Sequence, residues 1–229
     1  MRHMIIAAVG LPLAFSFCGA ALAVEAEVGN AKISIPTPPG YCPLDRSLPQ
    51  DQRLGKTLDE LLAGQNRLLA FFAECKQFSD WRIGKRQFLD DYVEVQTPLG
   101  GMSSEVPGSA IDVVKKGCAE AGSQGLDLVE EKALGDRITS VMKTVKQNEV
   151  KLLGVVAEEP NACFQALLQN LSVGDGVEKV QIIVYGTSVV KGKFIYHYRF
   201  GLYDGQPSIA RLLDEEKKNV VAFLAANPQ

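Results

Sequence analysis

Hydrophobic alternation is strictest near the end of the chain. From Lys193 to Tyr203, successive side chains of a strand point to opposite sides, so Phe194, Tyr196, Tyr198, Phe200 and Leu202 share one face. Ile195, His197, Arg199 and Tyr203 share the other. Val180 to Val189 reads as the strand before it, and Lys191-Gly192 predicts a two-residue turn in which glycine supplies the positive φ such a connection needs. The pattern therefore predicts a hairpin with one face buried.

The same reading covers the rest of the chain. Ala31 to Ile35 is a short alternating strand, followed by the rigid loop Thr37 to Tyr41. Leu54, Leu58, Leu61 and Leu62 recur at helical spacing between Gln50 and Ala63, with Pro49 ahead and Gly64 behind. Asn66 to Cys75 reads as a buried strand, with continuation of the helix as the competing possibility. Phe88 to Thr97 is a further strand entered by Asp90-Asp91, a pair expected at a solvated edge. Pro98 to Gly108, rich in glycine, proline and serine, is a loop and a natural insertion boundary. Two apolar helical stripes follow, Ile111, Val114 and Cys118 over Ala110 to Ala121, then Leu134, Ile138, Val141, Met142 and Val145. Val150 to Ala157 and Cys163 to Leu171 form a strand pair around Glu158-Glu159-Pro160-Asn161, and Gly174-Asp175-Gly176 is a plain turn. Pro207 to Ala226 closes the chain as a helix with Ile209, Leu212, Leu213, Val220, Phe223 and Leu224 on its docking face. The expected class is α+β: a mostly antiparallel sheet covered by helices, an α/β/α sandwich, with a helical insert over residues 104–147 of a single domain at 24–229.

The beginning of the chain carries an address. Arg2, an apolar run from Met4 to Phe17 and the small residues Ala21-Leu22-Ala23 form the pattern of a secretory signal, with cleavage expected between Ala23 and Val24. The run is short of the roughly 20 apolar residues a membrane helix needs and contains Pro12, so no span is expected after cleavage. Cys18 is a conceivable lipid attachment site, though the bulky Phe17 before it disfavours that. The expected location is the periplasm or the exterior.

Composition then narrows the function classes. The full chain has 24 Lys and Arg against 27 Asp and Glu, and loss of Arg2 with the signal takes the net charge to −4. Nucleic-acid binders need a cationic surface to displace counterions, so that class is disfavoured. Cys42, Cys75, Cys118 and Cys163 remain after the signal, an even number that in an exported protein reads as two disulfides. Locality favours Cys42 with Cys75 and Cys118 with Cys163 among the three pairings, each loop stabilising by roughly 4 kcal/mol. A zinc site is disfavoured because close Cys-x-x-Cys spacing is missing. No cofactor and no metal are expected.

The order of elements, together with Lys32-Ile33-Ser34-Ile35-Pro36 leading into Pro39-Gly40-Tyr41, the turn from Gly186-Thr187 to Lys191-Gly192-Lys193, and the terminal Ala225-Ala226-Asn227, resembles the PsbP-like superfamily of exported α/β/α sandwich domains. The resemblance covers the two ends of the chain better than its middle, where the segment from Ser104 to Gln147 and the four cysteines depart from the usual domain. It implies a non-catalytic accessory or binding protein and transfers no ligand residue.

Two function classes stand. One is an exported binding or accessory protein whose partner is another envelope protein or a small ligand. The other is a small envelope hydrolase or thiol enzyme using His197, the single histidine left after the signal, although the chain has no G-x-S-x-G, HExxH or P-loop motif. No catalytic residue is assigned. The candidate ligand face is His197, Arg199 and Tyr203, with Tyr185 and Thr187 from the paired strand. Trp81 beside Arg82, Lys85 and Arg86 reads as an aromatic body against the core with its cationic neighbours in water.

Overall fold

The hairpin near the end of the chain lies at the centre of the fold. The computed structural model describes residues 23–103, 105–106, 109–123, 136, 140–141, 145–174 and 176–228. Its described strands are β1 (Ala23–Val28), β2 (Ala31–Pro36), β3 (Tyr41–Pro43), β4 (Asn66–Glu74), β5 (Tyr92–Pro98), β6 (Val145–Glu159), β7 (Ala162–Val173), β8 (Val177–Val190) and β9 (Lys193–Leu202). The helices are α1 (Pro49–Leu62), α2 (Cys75–Arg82), α3 (Ala110–Ser123) and α4 (Gln206–Ala226). β1 and β2 form a two-stranded sheet, and the other seven an antiparallel sheet in the spatial order β3-β4-β5-β9-β8-β7-β6.

At the turn between β8 and β9, Lys191 and Gly192 both take positive φ, 48° and 72°. That is the twist-matched two-residue hairpin connection, and it sets the register without slack: Val190 faces Lys193, Gly186 faces His197, and Tyr185 faces Tyr198. Every side chain in the two strands is thereby assigned to a face.

One face carries α4. Ile182 and Val184 of β8, Ala166 of β7 and Leu212 of the helix are buried together. Gly201 makes this approach possible, since a Cβ there would stand 2.8 Å from Leu212 Cδ2. The β1–β2 hairpin packs on the same side, where Ile33 and Ile35 join Phe72, Val93, Val95, Ile195 and Phe223. Asn227 fastens the two together: its amide oxygen accepts from Ser34 N at 2.9 Å and its amide nitrogen donates to Ser34 O at 2.6 Å. The opposite face is covered by α1 and α2 at the β3–β4 end, and by α3 at the β6–β8 end. Helices therefore flank both sides, the α+β sandwich that periodicity predicts.

Both cysteine pairs stand at disulfide distance. Cys42 and Cys75 join β3 to the first residue of α2 with an S–S separation of 2.01 Å, and Cys118 and Cys163 join α3 to β7 at 2.05 Å. Each ties a helix of the second face to the sheet beneath it. No described helix is long and apolar enough to cross a membrane.

Several elements differ from those the pattern predicts. β1 is an addition; it begins at Ala23, so both residues of the expected cleavage site lie in a strand, Val24 opposite Ile35. Residues 1–22, with Cys18, lie outside the described residues. α2 escapes the helix-start signals because it is capped by an uncommon residue, Glu74, whose carboxylate accepts from Lys76 N and Gln77 N. Val145 is not the end of a helical stripe but the first residue of β6, opposite Val173, so the sheet takes the last three residues of the expected insert. Leu134, Ile138 and Met142 of that stripe lie outside the described residues. The turn between β6 and β7 contracts to Pro160-Asn161 as both strands extend. β6 is an edge strand, and three register shifts along it interrupt the ladder another chain would need for pairing.

The acidic pair before β5 is held in ion pairs rather than left free at an edge, with Asp90 buried and Asp91 partly exposed. Asp90 is buried and paired with Arg86 and with Lys179 at 2.6 Å, and Asp91 is paired with Arg199 at 2.7 Å. Arg82, beside Trp81, is likewise committed: it grips the buried Asp51 of α1 through two contacts of 2.6 and 2.8 Å.

Candidate functional site

The hairpin register divides the expected ligand face in two. His197, Arg199 and Tyr203 lie on the α4 side, whereas Tyr185 and Thr187 lie on the opposite side, because the residue facing His197 is Gly186 between them. The five residues do not form one surface. The reason is the two-residue turn, which fixes the parity of one strand against the other.

On the α4 side the polar groups are structural. His197 is 2% exposed, its Nε2 lies 3.0 Å from Ser188 Oγ, and its ring meets Phe223 edge to face at 4.5 Å. Burial lowers its pKa to about 3, so the ring is neutral. A serine beside a histidine is the beginning of a nucleophile and base pair, yet Ser188 is 0% exposed beneath the docked helix, and no substrate reaches its hydroxyl in this packing. Arg199, 1% exposed, is held by Asp91 and by Glu215 at 2.7 Å and lies against the Tyr41 ring at 5.1 Å. Tyr203 packs beside Ile209 and Leu213. The neighbouring Glu216 is buried with one oxygen unpartnered, and burial raises its pKa to about 7. With the four cysteines of the described chain disulfide-bonded, a thiolate nucleophile is not available. Among the described residues no group of three or more His, Cys, Asp or Glu side chains could hold a metal ion.

The opposite side is different in kind. Between α1–α2 and α3, the pairings of β5, β9 and β8 lay out three rows: Gln96, Tyr196 and Thr187; Glu94, Tyr198 and Tyr185; Tyr92, Phe200 and Ile183. The rings run on continuously. Tyr198 is 5.6 Å from Tyr185, 6.4 Å from Tyr196 and 6.3 Å from Phe200, and Phe200 stacks on Tyr92 at 4.2 Å. Tyr185, Tyr196 and Tyr198 remain partly exposed.

Within this tyrosine strip lies a carboxyl group. Glu94 is 6% exposed; one of its oxygens accepts from Gln96 Nε2 at 2.7 Å, and Gln96 in turn accepts from Asn66 Nδ2 at 2.9 Å. Burial raises its pKa to about 7, partly opposed by the Gln96 hydrogen bond. The same burial pushes Tyr185 to about 12 and Tyr198 well above the ordinary tyrosine range. Among the described residues, neither the second oxygen of Glu94 nor the hydroxyls of Tyr185, Tyr196 and Tyr198 takes a hydrogen-bond partner. The three tyrosines are partly exposed and the free oxygen of Glu94 is not fully enclosed, so these groups are open to solvent or to a ligand.

The alternation marks Phe88 to Thr97 as a strand but does not single out Glu94 or Gln96. The available signal is parity: both share a face with Tyr92, two polar groups on the side where a sheet packed on both faces would carry apolar ones.

No protein-family model matches this chain, and no curated protein matches it. Among solved structures it is similar to the solution structure of cyanobacterial PsbP (CyanoP) from Synechocystis sp. PCC 6803, with 14% identity over 88% of this chain and 94% of that one and a TM-score of 0.36. It is also similar to the Ran-binding protein Mog1p of Saccharomyces cerevisiae, with 11% identity, 91% and 93% coverage and a TM-score of 0.28. At these values the likeness assigns no function.

Proposed function

We propose that this chain is an exported, non-catalytic binding or accessory protein, and that the tyrosine strip of β5, β8 and β9 is the surface through which it engages a component of the envelope. The observation that carries the reading is the set of hydrogen-bonding groups in the strip, one oxygen of the buried Glu94 carboxyl and three tyrosine hydroxyls, that the described chain leaves unpartnered. Export is supported by the signal pattern over Met1 to Ala23 and by two cysteine pairs at disulfide distance, bonds that persist in oxidising compartments. The hydrolase reading is disfavoured by the burial of His197 and Ser188 under α4.

Two measurements test this. Intact mass of protein recovered from the periplasmic fraction should correspond to a chain beginning at Val24; a chain retained in the cytosol with Met1 in place would remove the export half. A photoreactive phenylalanine analogue at position 196 should crosslink in intact cells to a component that the same analogue at Val221, exposed on α4, does not reach. Equal labelling from both positions would remove the binding half.

A further inference from the structure

Resting on that reading, we infer that the tyrosine strip takes a neutral, polyhydroxylated ligand, an oligosaccharide, with sugar rings against Tyr196 and Tyr198 and sugar hydroxyls bonded to Glu94 and the tyrosine hydroxyls. The inference follows from matching the unpartnered groups to what can satisfy them. A carboxyl oxygen accepts and a phenol both donates and accepts, so the complement is a ligand whose own groups do both. Sugar hydroxyls do so, and the apolar face of a sugar ring suits an aromatic surface whose polar edge stays wet.

Other ligand classes fit less well, each for a reason visible in the same rows. An anion would face Glu94 without a compensating cation, since Lys179 of β8 is already paired with Asp90 at 2.6 Å. A cation would find a single carboxyl group in the rows of β5, β9 and β8, one that burial holds near half-neutral at pH 7. An acyl chain would cover Glu94 and three hydroxyls without replacing their hydrogen bonds with water, a loss of roughly 1–3 kcal/mol for each group. An extended peptide gains affinity by pairing along a sheet edge, whereas β9 and β8 lie inside the sheet with neighbours on both sides.

The test uses the chain beginning at Val24 with its disulfides intact. The probes are soluble hexasaccharides of β-1,4-linked glucose, α-1,4-linked glucose and β-1,4-linked N-acetylglucosamine, read by titration calorimetry and by tyrosine difference absorbance. At least one should bind with a dissociation constant below about 10 mM. Replacing Tyr196 with Ala should then weaken binding about tenfold or more, while Tyr196→Phe, which keeps the ring, should weaken it by a smaller factor. Unchanged circular dichroism of both variants would show that the sheet is retained. If no probe binds the folded protein, or if binding survives both Tyr196→Ala and Tyr198→Ala, the oligosaccharide inference is overturned. A position-196 crosslink that forms despite that failure leaves the binding-face reading standing, and loss of both removes both.

Discussion

The two faces of one sheet use similar chemistry to opposite ends. Under α4, His197 and Arg199 are buried and each is answered by the protein itself, the imidazole by Ser188 and Phe223, the guanidinium by Asp91 and Glu215. On the tyrosine face, Glu94 is nearly as deeply placed, yet one of its oxygens and three neighbouring phenols have no answering group among the described residues. A buried polar group with its partner helps hold a fold together; one without a partner costs stability. The comparison therefore sets a face whose histidine and arginine are answered within the chain, although Glu216 beside them keeps one oxygen unpartnered, against a face where a carboxyl oxygen and three phenols have no protein partner among the described residues.

The sharpest way to break that comparison is on the α4 side. Arg199→Ala would leave Asp91 and Glu215 without their shared cation, and Phe223→Ala would open a cavity under His197. Each should cost about 3–5 kcal/mol, seen as a lower midpoint in urea at constant slope. Effects under about 1 kcal/mol would mean that α4 is not the anchor. Next, replacing Cys118 and Cys163 together with Ala should cost about 2–4 kcal/mol, because α3 loses its tether to β7 and the unfolded chain regains the freedom of a 45-residue loop. An unchanged thermal midpoint would contradict that role.

The pH response adds a second test, since the two buried carboxyls and the buried imidazole titrate in opposite senses. Glu94 and Glu216 have folded pKa values near 7, raised from 4.5, so the stability they contribute is present below pH 4.5 and is lost as pH rises through 7. His197 is lowered from 6.5 to about 3, so its contribution is present above pH 6.5 and is lost as pH falls towards 3. Glu94→Gln should flatten the loss between pH 4.5 and 7, by no more than about 3 kcal/mol at the upper end. His197→Asn should instead flatten the loss on the acid side. Denaturation midpoints across that range check both signs, and a Glu94→Gln variant with the parent's slope would show that the carboxyl is not buried in solution. The smallest effect is expected at the strip's rim, where Tyr185→Phe removes a hydroxyl with no protein partner among the described residues. Its stability should stay within about 0.5 kcal/mol of the parent, and a larger loss would reveal a structural bond.

Much of the architecture is legible in the order of residues alone. The alternation of β9, the Lys191-Gly192 turn, the leucine spacing of α1 and the apolar stripe of α4 are local signals, and each element forms where its period places it. Where elements depart from the pattern, the cause is a pairing partner brought in by the sheet. β1, with glutamates alternating with small residues, becomes a strand by pairing with β2, and Val145 becomes strand because Val173 stands opposite.

The candidate site is less legible than the fold. His197 and Arg199 stand out as the unusual residues of a strong strand, but their unusual character is absorbed by α4. Glu94 and Gln96, which face the tyrosine strip, look ordinary in a strand that also carries Val93 and Val95. Alternation along the chain by itself determined which side chains of each strand share a face, and composition and spacing determined the even count of cysteines and the helices' apolar stripes. Only the tertiary structure decided which face α4 would cover and which polar groups would be left without partners, because hydrogen-bond satisfaction is a property of neighbours brought together across the sheet, and no single segment carries that information.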